Sequence, residues 1–355
     1  MPNELTRELA DAAAEYEAVR HGAGLVDRSQ HGVVEVTGRD RVKFLHALLS
    51  NDIKALAPGQ GCAATLLDIH GKVQVVLAVL VLDEAIVLVT PAGMGAATVE
   101  HLDKFLFAEK VDLHDVTGEA ALVMLAGPRS AALAAEVIGA RPAESAWSSA
   151  TGKFQSSEVR VVRGGGETGE AETWLMAPAA VGDDLRRALL DSGARPVGEA
   201  ALESLRIEAG TPRYGFDVDD SVLLPEIPFA DLLSYSKGCY PGQEVVVRIR
   251  DRGHVNRMLR GLVLAGDTVP SRGARVVANS SEASVPNADA SASDASTAGA
   301  DVGRITSAAW SFGLARPIAL AFVRRQHAES GTTLRIVSES GATQTATVSA
   351  LPFAR

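Results

Sequence analysis

Residues 236–260 have the sequence SKGCYPGQEVVVRIRDRGHVNRMLR, the part of the chain that indicates its fold most strongly. The segment opens with a turn rich in glycine and proline around Cys239. Three consecutive valines follow and favour a β-strand. Side chains alternate along a strand, so Arg248 and Arg250 would share one face. The segment therefore predicts a tight turn beside a cationic strand.

The thiol of Cys239 has neighbours that favour its reactive form. Lys237 lies two residues before it, and Gly238 and Gly242 flank it. A nearby positive charge and oriented backbone N–H groups stabilise a thiolate and lower the pKa of a cysteine. Such a thiol is suited to nucleophilic attack, to binding a metal or cluster, or to redox exchange. The alternative is a small apolar side chain buried in a tight turn, and the residues alone leave both interpretations open.

After residue 257 the sequence changes to short alternating strands separated by turns. This pattern predicts a small antiparallel barrel or sandwich over residues 258–355. Its strands are expected at 258–264, 274–278, 302–307, 318–323, 334–338 and 345–351. Residues 279–300 interrupt the pattern with mostly Ala, Ser and Asp. That composition buries too little apolar surface to offset the entropy of ordering, so we predict a disordered surface loop.

The region before the barrel, residues 1–257, mixes helices and strands without regular alternation. This order predicts an α+β region rather than a doubly wound sheet. A second unit repeats the element order of the first in outline, which places an internal boundary near residue 118. The pattern of residues 4–20 predicts an amphipathic helix. A hairpin turn is expected at residues 68–71, between two strands rich in Val and Leu.

A glycine-rich loop, RGGGETGE, occupies residues 163–170. It lacks the Gly-Lys-Ser/Thr ending of a phosphate-binding loop, and Gly169 does not open a predicted helix as a dinucleotide-binding fingerprint would. The loop is therefore either a flexible turn or a segment whose backbone and Glu170 approach a flat polar ligand.

Composition excludes several classes of protein. The 355 residues carry a formal net charge of −10, which argues against a nonspecific nucleic-acid binder. Two cysteines, Cys62 and Cys239, exclude a disulfide framework and a four-cysteine zinc site, so we expect no stably bound metal. The longest apolar run, residues 75–82, is too short to cross a membrane. We expect a cytoplasmic protein that binds neither membrane nor nucleic acid directly.

The octapeptide KGCYPGQE at residues 237–244 resembles the signature of the YgfZ family of folate-binding proteins. These proteins are relatives of the glycine-cleavage T-protein, an aminomethyltransferase. Other blocks resemble the same superfamily in the same order, so that the resemblance spans roughly residues 20–325. The blocks are HGAGLVDRSQHGVVEVTGRDRVKFLHALLSNDIKALAPGQG, LVMLAGPRSAA, LESLRIEAGTPRYGFDVDDSVLLPE, DRGHVNR and GRITSAAWSFGLARPIALAFVRR.

The resemblance implies a fold in which two α+β lobes enclose a central pocket that binds tetrahydrofolate. A C-terminal antiparallel β-barrel would close one side of this pocket. Glu170 and Glu208 are then candidate acceptors for the pterin N–H groups, because a carboxylate can accept a paired donor edge. Arg206, Arg248 and Arg252 are the candidate cationic contacts of the folate.

One difference separates this chain from the T-protein branch. The T-protein carries catalytic aspartates in a strand after a glycine-containing turn, and Val75 and Val76 stand at those positions here. Valine cannot orient or stabilise an iminium-forming aminomethyl group, so aminomethyl transfer is not expected. The YgfZ branch lacks the aspartate pair and carries the cysteine motif instead.

Relatives in the YgfZ family are associated with assembly or repair of iron–sulfur clusters, including those of enzymes that thiolate tRNA. The resemblance therefore implies a tetrahydrofolate-binding accessory protein without classical turnover, whose transient partners are iron–sulfur enzymes or assembly proteins. Cys239 would act, and Lys237 would tune its thiolate. The remaining residues that would shape this loop are Gly238, Tyr240, Gly242, Gln243 and Glu244. Two alternatives stay open: a tetrahydrofolate-dependent aminomethyl- or methyltransferase, and a non-catalytic folate-binding interaction module.

Overall fold

The computed structural model describes residues 4–279 and 299–354, with side chains described from residue 10 onward. The disordered loop predicted at 279–300 lies almost wholly outside these residues. Across the described part of the chain, no helix is both long and apolar enough to cross a membrane. The helices there are α1 (Glu4–His21), α2 (Arg41–Leu48), α3 (Gly95–Asp103), α4 (Ser130–Ile138), α5 (Gly182–Asp191), α6 (Glu199–Glu208) and α7 (Gln243–Arg252).

Each of the two N-terminal lobes is built on one sheet. Their strands, in chain order, are β1 (Gly24–Asp27), β2 (His31–Thr37), β3 (Gly61–Leu67), β4 (Val73–Val81), β5 (Ile86–Ala92), β6 (Asp112–Asp115), β7 (Ala120–Ala126), β8 (Ser149–Phe154), β9 (Ser157–Arg163), β10 (Glu172–Pro178) and β11 (Arg195–Pro196). One sheet has the order β3-β4-β5-β2-β6 and the other β11-β1-β7-β10-β9-β8. The predicted α+β class is confirmed. The first strand, β1, lies in the second sheet, so the segment before β2 belongs to the second lobe.

A shared apolar core joins the two sheets. Side chains of the first sheet, such as Val33 and Leu80, pack in one cluster with Met124 and Trp174 of the second. Helices α1 and α6 add residues to the same cluster, including Tyr16. Burial of this apolar surface is the main favourable contribution to joining the lobes. The glycine-rich loop between β9 and β10 lies at the edge of this junction.

The C-terminal region is a closed barrel, as predicted. Its strands are β12 (Arg257–Leu264), β13 (Arg275–Ala278), β14 (Asp301–Ser311), β15 (Arg316–Arg324), β16 (Thr333–Val337) and β17 (Thr343–Ser349). They close in the order β12-β15-β14-β13-β16-β17, and every pairing is antiparallel. Closure leaves no unpaired edge strand. Aliphatic side chains such as Leu262, Val276 and Ile336 fill the interior.

The prediction of a strand that carries Arg248 and Arg250 is wrong, because residues 243–252 form helix α7. Gly242 precedes the helix with φ of +77°, and one valine of the run, Val246, is fully buried. Packing of this helix against the first lobe overrides the strand preference of consecutive valines. Arg248, Arg250 and Arg252 are all exposed on α7, but they do not form the single face of a strand.

The buried carboxylate of Glu208 joins three segments that are distant in sequence. It lies at the end of α6 and accepts hydrogen bonds from Tyr16 Oη (2.8 Å) and Arg20 Nη2 (2.6 Å) of α1. It also accepts hydrogen bonds from Ser311 Oγ (2.6 Å) at the end of β14 and from the backbone N–H of Gly313 (3.2 Å) in the turn that follows. Its side chain is fully buried, and these donors occupy it. The arrangement gives no support to a pterin contact at Glu208.

Replacing Glu208 should destabilise the whole protein. In Glu208→Ala the buried guanidinium of Arg20 loses one of its two carboxylates, and we expect a loss of about 3–5 kcal/mol in the free energy of unfolding. Urea denaturation followed by circular dichroism measures this loss. The matched control is Glu136→Ala, which removes an exposed glutamate of α4 and should change stability by at most about 0.5 kcal/mol. Equal stability of the two variants would contradict the assigned role of Glu208.

Candidate functional site

The loop that carries Cys239 is held on the first lobe with its thiol exposed. Lys237 is buried, and its Nζ donates hydrogen bonds to the carbonyl oxygens of His46 (2.5 Å) and Leu49. Both carbonyls lie at the C-terminal end of α2, where backbone oxygens have no partner within the helix and where the helix dipole favours a cation. Lys237 therefore fastens the loop to α2.

Burial lowers the pKa of Lys237 to about 8. Its Nζ also lies 4.9 Å from the centre of the Tyr240 ring, a cation–π distance. Burial likewise raises the pKa of Tyr240 to about 12, so this phenol stays protonated near neutral pH. Because the ammonium of Lys237 is committed to backbone carbonyls, the geometry favours a structural role for it over tuning of the Cys239 thiolate.

Gly242 fixes the other end of the loop against the hairpin turn at residues 68–71. A Cβ at Gly242 would lie 2.5 Å from the backbone oxygen of Asp68 and 2.9 Å from the Cα of Gly71. The φ of Gly242 is also left-handed, so a side chain there would be strained in two ways. Gly71 in turn packs against Val245 of α7. The cysteine motif and the hairpin therefore meet directly.

The remaining motif residues are less constrained. Gly238 has open space around the position of a Cβ. Gln243 and Glu244 begin α7, and neither side chain forms a hydrogen bond or ion pair within the described residues. Glu244 places a negative charge in the first turn of α7, where the helix dipole favours it. Their predicted role as loop anchors stays a prediction.

The strand that follows the hairpin presents aliphatic side chains at the positions of interest. Val75 is buried and Val76 half-buried in β4. Across from them, Thr65 of β3 donates its hydroxyl to the backbone oxygen of Val75 (2.8 Å). Neither valine can accept a proton or stabilise a cation, so this strand offers no acid or base next to the turn.

The glycine-rich loop wraps around the buried carboxyl group of Glu172. Glu172, at the start of β10, accepts the backbone N–H groups of Gly166 (3.1 Å) and Thr168 (2.8 Å). Burial is the main cause that raises the pKa of Glu172. On the outer side of the loop, Glu170 pairs with Arg20 Nη1 at 2.6 Å, so the predicted ligand residues Glu170 and Glu208 share one guanidinium.

Several buried nitrogen atoms beside this loop have no hydrogen-bond partner in the described residues. These atoms are Nε of Arg20, Nε of Arg28, Nδ1 of His31 and Nε1 of Trp174. Buried donors without acceptors are rare in proteins, and they indicate an ordered water or a ligand. A Cβ at Gly164 would lie 2.6 Å from the Cβ of Glu172 and 2.8 Å from the Trp174 nitrogen, so only a glycine lets the loop pack this closely against the indole. The unpartnered N–H donors of Arg20, Arg28 and Trp174 fit acceptor atoms on the edge of a flat ligand.

The predicted arginines are not brought together. Arg206 is buried and pairs with Glu203 (2.5 Å) and Asp217 (2.7 Å), which makes it a structural residue. Arg248 and Arg252 are exposed on α7, next to the cysteine loop. No hydrogen bond or ion pair within the described residues joins that loop to Glu170. Arg20, Arg28, His31 and Trp174 are not among the predicted site residues, although Arg28 and His31 lie within the first of the blocks quoted above.

Two family models match this chain. The model of the GCVT N-terminal domain matches residues 1–231, and the model of the glycine cleavage T-protein C-terminal barrel domain matches residues 257–354. A crystal structure of glycine cleavage system aminomethyltransferase T from Bartonella henselae superimposes with a TM-score of 0.78 at 24% identity, covering 97% of this chain and 89% of that one. This likeness concerns the fold.

Curated relatives include two proteins named aminomethyltransferase. That of Rubrobacter xylanophilus is 32% identical over 291 residues, covering 79% of this chain and 76% of the relative. That of Synechococcus sp. is 29% identical over 366 residues, covering 99% and 93%. A putative chloroplastic transferase of Arabidopsis thaliana is 28% identical over 256 residues, which are 72% of this chain and 59% of that protein's length.

The half-buried ring of His31 should make stability depend on pH. Burial lowers the pKa of His31 from 6.5 to about 4. As pH falls, the unfolded chain therefore binds the proton first, and the free energy of unfolding decreases between pH about 6.5 and about 4. A shift of this size corresponds to roughly 3 kcal/mol. In His31→Phe, which preserves an aromatic edge against Trp174, we expect the loss over this range to be smaller than in the wild type by about that amount.

Denaturant unfolding at a series of pH values from 7 to 4 measures this difference. The matched control is His114→Phe, which replaces an exposed histidine of β6 and should keep the wild-type slope. A His31→Phe variant with the same pH slope as the wild type would show that this ring titrates normally.

Proposed function

The chain belongs to the glycine cleavage T-protein family, and from this premise we propose that it binds tetrahydrofolate and acts through Cys239 as an accessory protein for iron–sulfur proteins. This proposal places the chain in the YgfZ branch of the family and in the cytoplasm. Its partners would be iron–sulfur enzymes or assembly proteins that dock transiently. The single observation that carries the proposal is the exposed thiol on a loop that is fastened at both ends.

The glycine-rich loop is the proposed contact for the pterin part of the folate. Glu170 supplies a partly exposed carboxylate, and Trp174 supplies an N–H donor that has no acceptor in the described residues. Bound tetrahydrofolate would supply nitrogen atoms able to carry a one-carbon unit. Arg28 pairs with Glu167 of the same loop and His31 packs on Trp174, and each has a buried nitrogen atom without a partner in the described residues, so they are further candidates to orient the pterin.

Cys239 is proposed to meet the partner because it faces outward. Lys237 and Gly242 fix the loop on α2 and on the hairpin, so the thiol is presented without much loss of entropy on docking. The second cysteine lacks these properties. Cys62 lies in β3 against the core of the first lobe, and burial raises its pKa to about 12. Only Cys239 is therefore suited to contact a cluster or a partner thiol.

Replacing Cys239 tests this role directly. In a strain that lacks the protein, Cys239→Ser should fail to restore the activity of cluster-containing enzymes, while it keeps the wild-type melting temperature and folate affinity. Cys62→Ala is the matched control and should restore activity. Full rescue by Cys239→Ser would contradict the proposal, and retained folate binding would then favour a non-catalytic folate-binding module.

A second candidate function, aminomethyl transfer, is favoured by the names of the relatives. Against it stand the aliphatic side chains of Val75 and Val76 beside the hairpin turn. The purified protein, incubated with tetrahydrofolate and an aminomethylated lipoyl carrier, should form methylenetetrahydrofolate no faster than the reaction without protein. Chromatographic detection of the product checks this. Sustained turnover would reverse the order of the two candidates.

A further inference from the structure

A cavity of about 520 Å³ lies between the barrel and the segment that follows α6. Four arginines line it: Arg257 on β12, Arg304 on β14, Arg324 on β15, and Arg272 in the turn before β13. Arg257 and Arg324 are directly opposite each other on neighbouring strands. Like charges in this position repel, so the pair destabilises the sheet unless an anion lies between or beside them.

The carboxylates around the cavity do not balance this charge. Asp217 is paired with Arg206, and Asp301 with Arg275, neither of which lines the cavity. The cavity lining has four arginines against three carboxylates, Asp217, Asp219 and Asp301, and two of these carboxylates are engaged by arginines outside the lining.

Two of the four arginines are held in place by other contacts. Arg257 forms a paired contact with Glu226, with both nitrogen–oxygen distances at 3.1 Å, and stacks 4.5 Å from the centre of the Phe322 ring. Arg272 donates to the backbone oxygen of Phe216 (2.8 Å) and stacks on that ring at 5.0 Å. Guanidinium groups that are fixed in this way lose little freedom when they bind a ligand.

The other two arginines have N–H groups that are available to bind a ligand. Arg304 is exposed and makes one long contact, 3.4 Å from its Nη1 to the backbone oxygen of Gly273. Arg324 is exposed and forms neither an ion pair nor a side-chain hydrogen bond with any described residue. Beside them, Ser221 accounts for most of the lowering of the pKa of Asp219, and the fields of Arg257 and Arg272 contribute to it.

We propose that this cavity binds a small, multiply charged oxyanion through Arg304 and Arg324, with Arg257 and Arg272 as its fixed walls. Phosphate and carboxylate groups share the required chemistry, because both present several acceptor oxygens to a planar donor fork. A second cavity of about 800 Å³ shares Arg257 and Arg324 and is lined further by Arg325 and by the carboxylates Glu226 and Glu329. The site is separate from the cysteine loop and from the glycine-rich loop.

Titration calorimetry of the full chain with inorganic pyrophosphate, without magnesium and at low salt, tests the site. We expect saturable binding to the wild type and a loss of about tenfold or more in Arg304→Gln/Arg324→Gln. The matched control is Arg316→Gln, which removes an exposed arginine of β15 outside the cavity and should bind as the wild type does. Circular dichroism verifies that each variant is folded.

Three outcomes would overturn the proposal: no binding by the wild type, unchanged binding by the double variant, or an equal loss in Arg316→Gln, which would indicate nonspecific attraction. If the double variant does not fold, Arg324→Gln alone replaces it, because this side chain contacts no described partner. Citrate serves as a second probe. A preference for pyrophosphate assigns the site to phosphates and a preference for citrate to carboxylates, and either result supports an oxyanion site.

Discussion

The guanidinium of Arg20 bridges two carboxylates, and the arrangement of the lobes depends on this bridge. One nitrogen binds Glu170 on the glycine-rich loop and the other binds Glu208 at the end of α6, each at 2.6 Å. The barrel joins the same network through Ser311. Charges this deeply buried are tolerated only when they are paired, so the bridge forces α1, the loop, α6 and the barrel into one relative position. The buried nitrogen atoms on which the proposed folate contact rests lie beside it.

The cysteine loop is held in place by contacts of a different kind. Within the part of the chain that the structure describes, no buried charge pair holds it. Lys237 binds the carbonyl groups at the end of a helix on one side, and the backbones of Gly71 and Gly242 touch on the other. Both contacts restrain backbone rather than the thiol itself. The result is a rigid support for an exposed reactive atom, a combination that suits recognition by a second macromolecule better than catalysis inside a closed pocket. At the cavity proposed to bind an oxyanion, Arg257 and Arg272 are likewise held in place by contacts with their neighbours.

Much of the architecture was accessible from the sequence. Alternating strands predicted the barrel, and the turn at residues 68–71 predicted the hairpin, because both depend on local pattern. The three valines before Arg248 predicted a strand, but the packing of Val246 favours a helix there. The strands β1, β8 and β11 were not predicted. The role of Glu208 depends on partners far away in the sequence, Tyr16 and Ser311, and no local signal reports such partners.

The contact between Gly71 and Gly242 couples two segments that are far apart in the sequence. A side chain at Gly242 would collide with the backbone of the hairpin, whereas one at Gly71 would press on the side chain of Val245. Both glycines also have a left-handed φ, so each position favours glycine for its own backbone as well as for the contact. For protein engineering, a cysteine loop grafted onto another scaffold would need the hairpin as well, because the loop alone lacks the surface that shapes it.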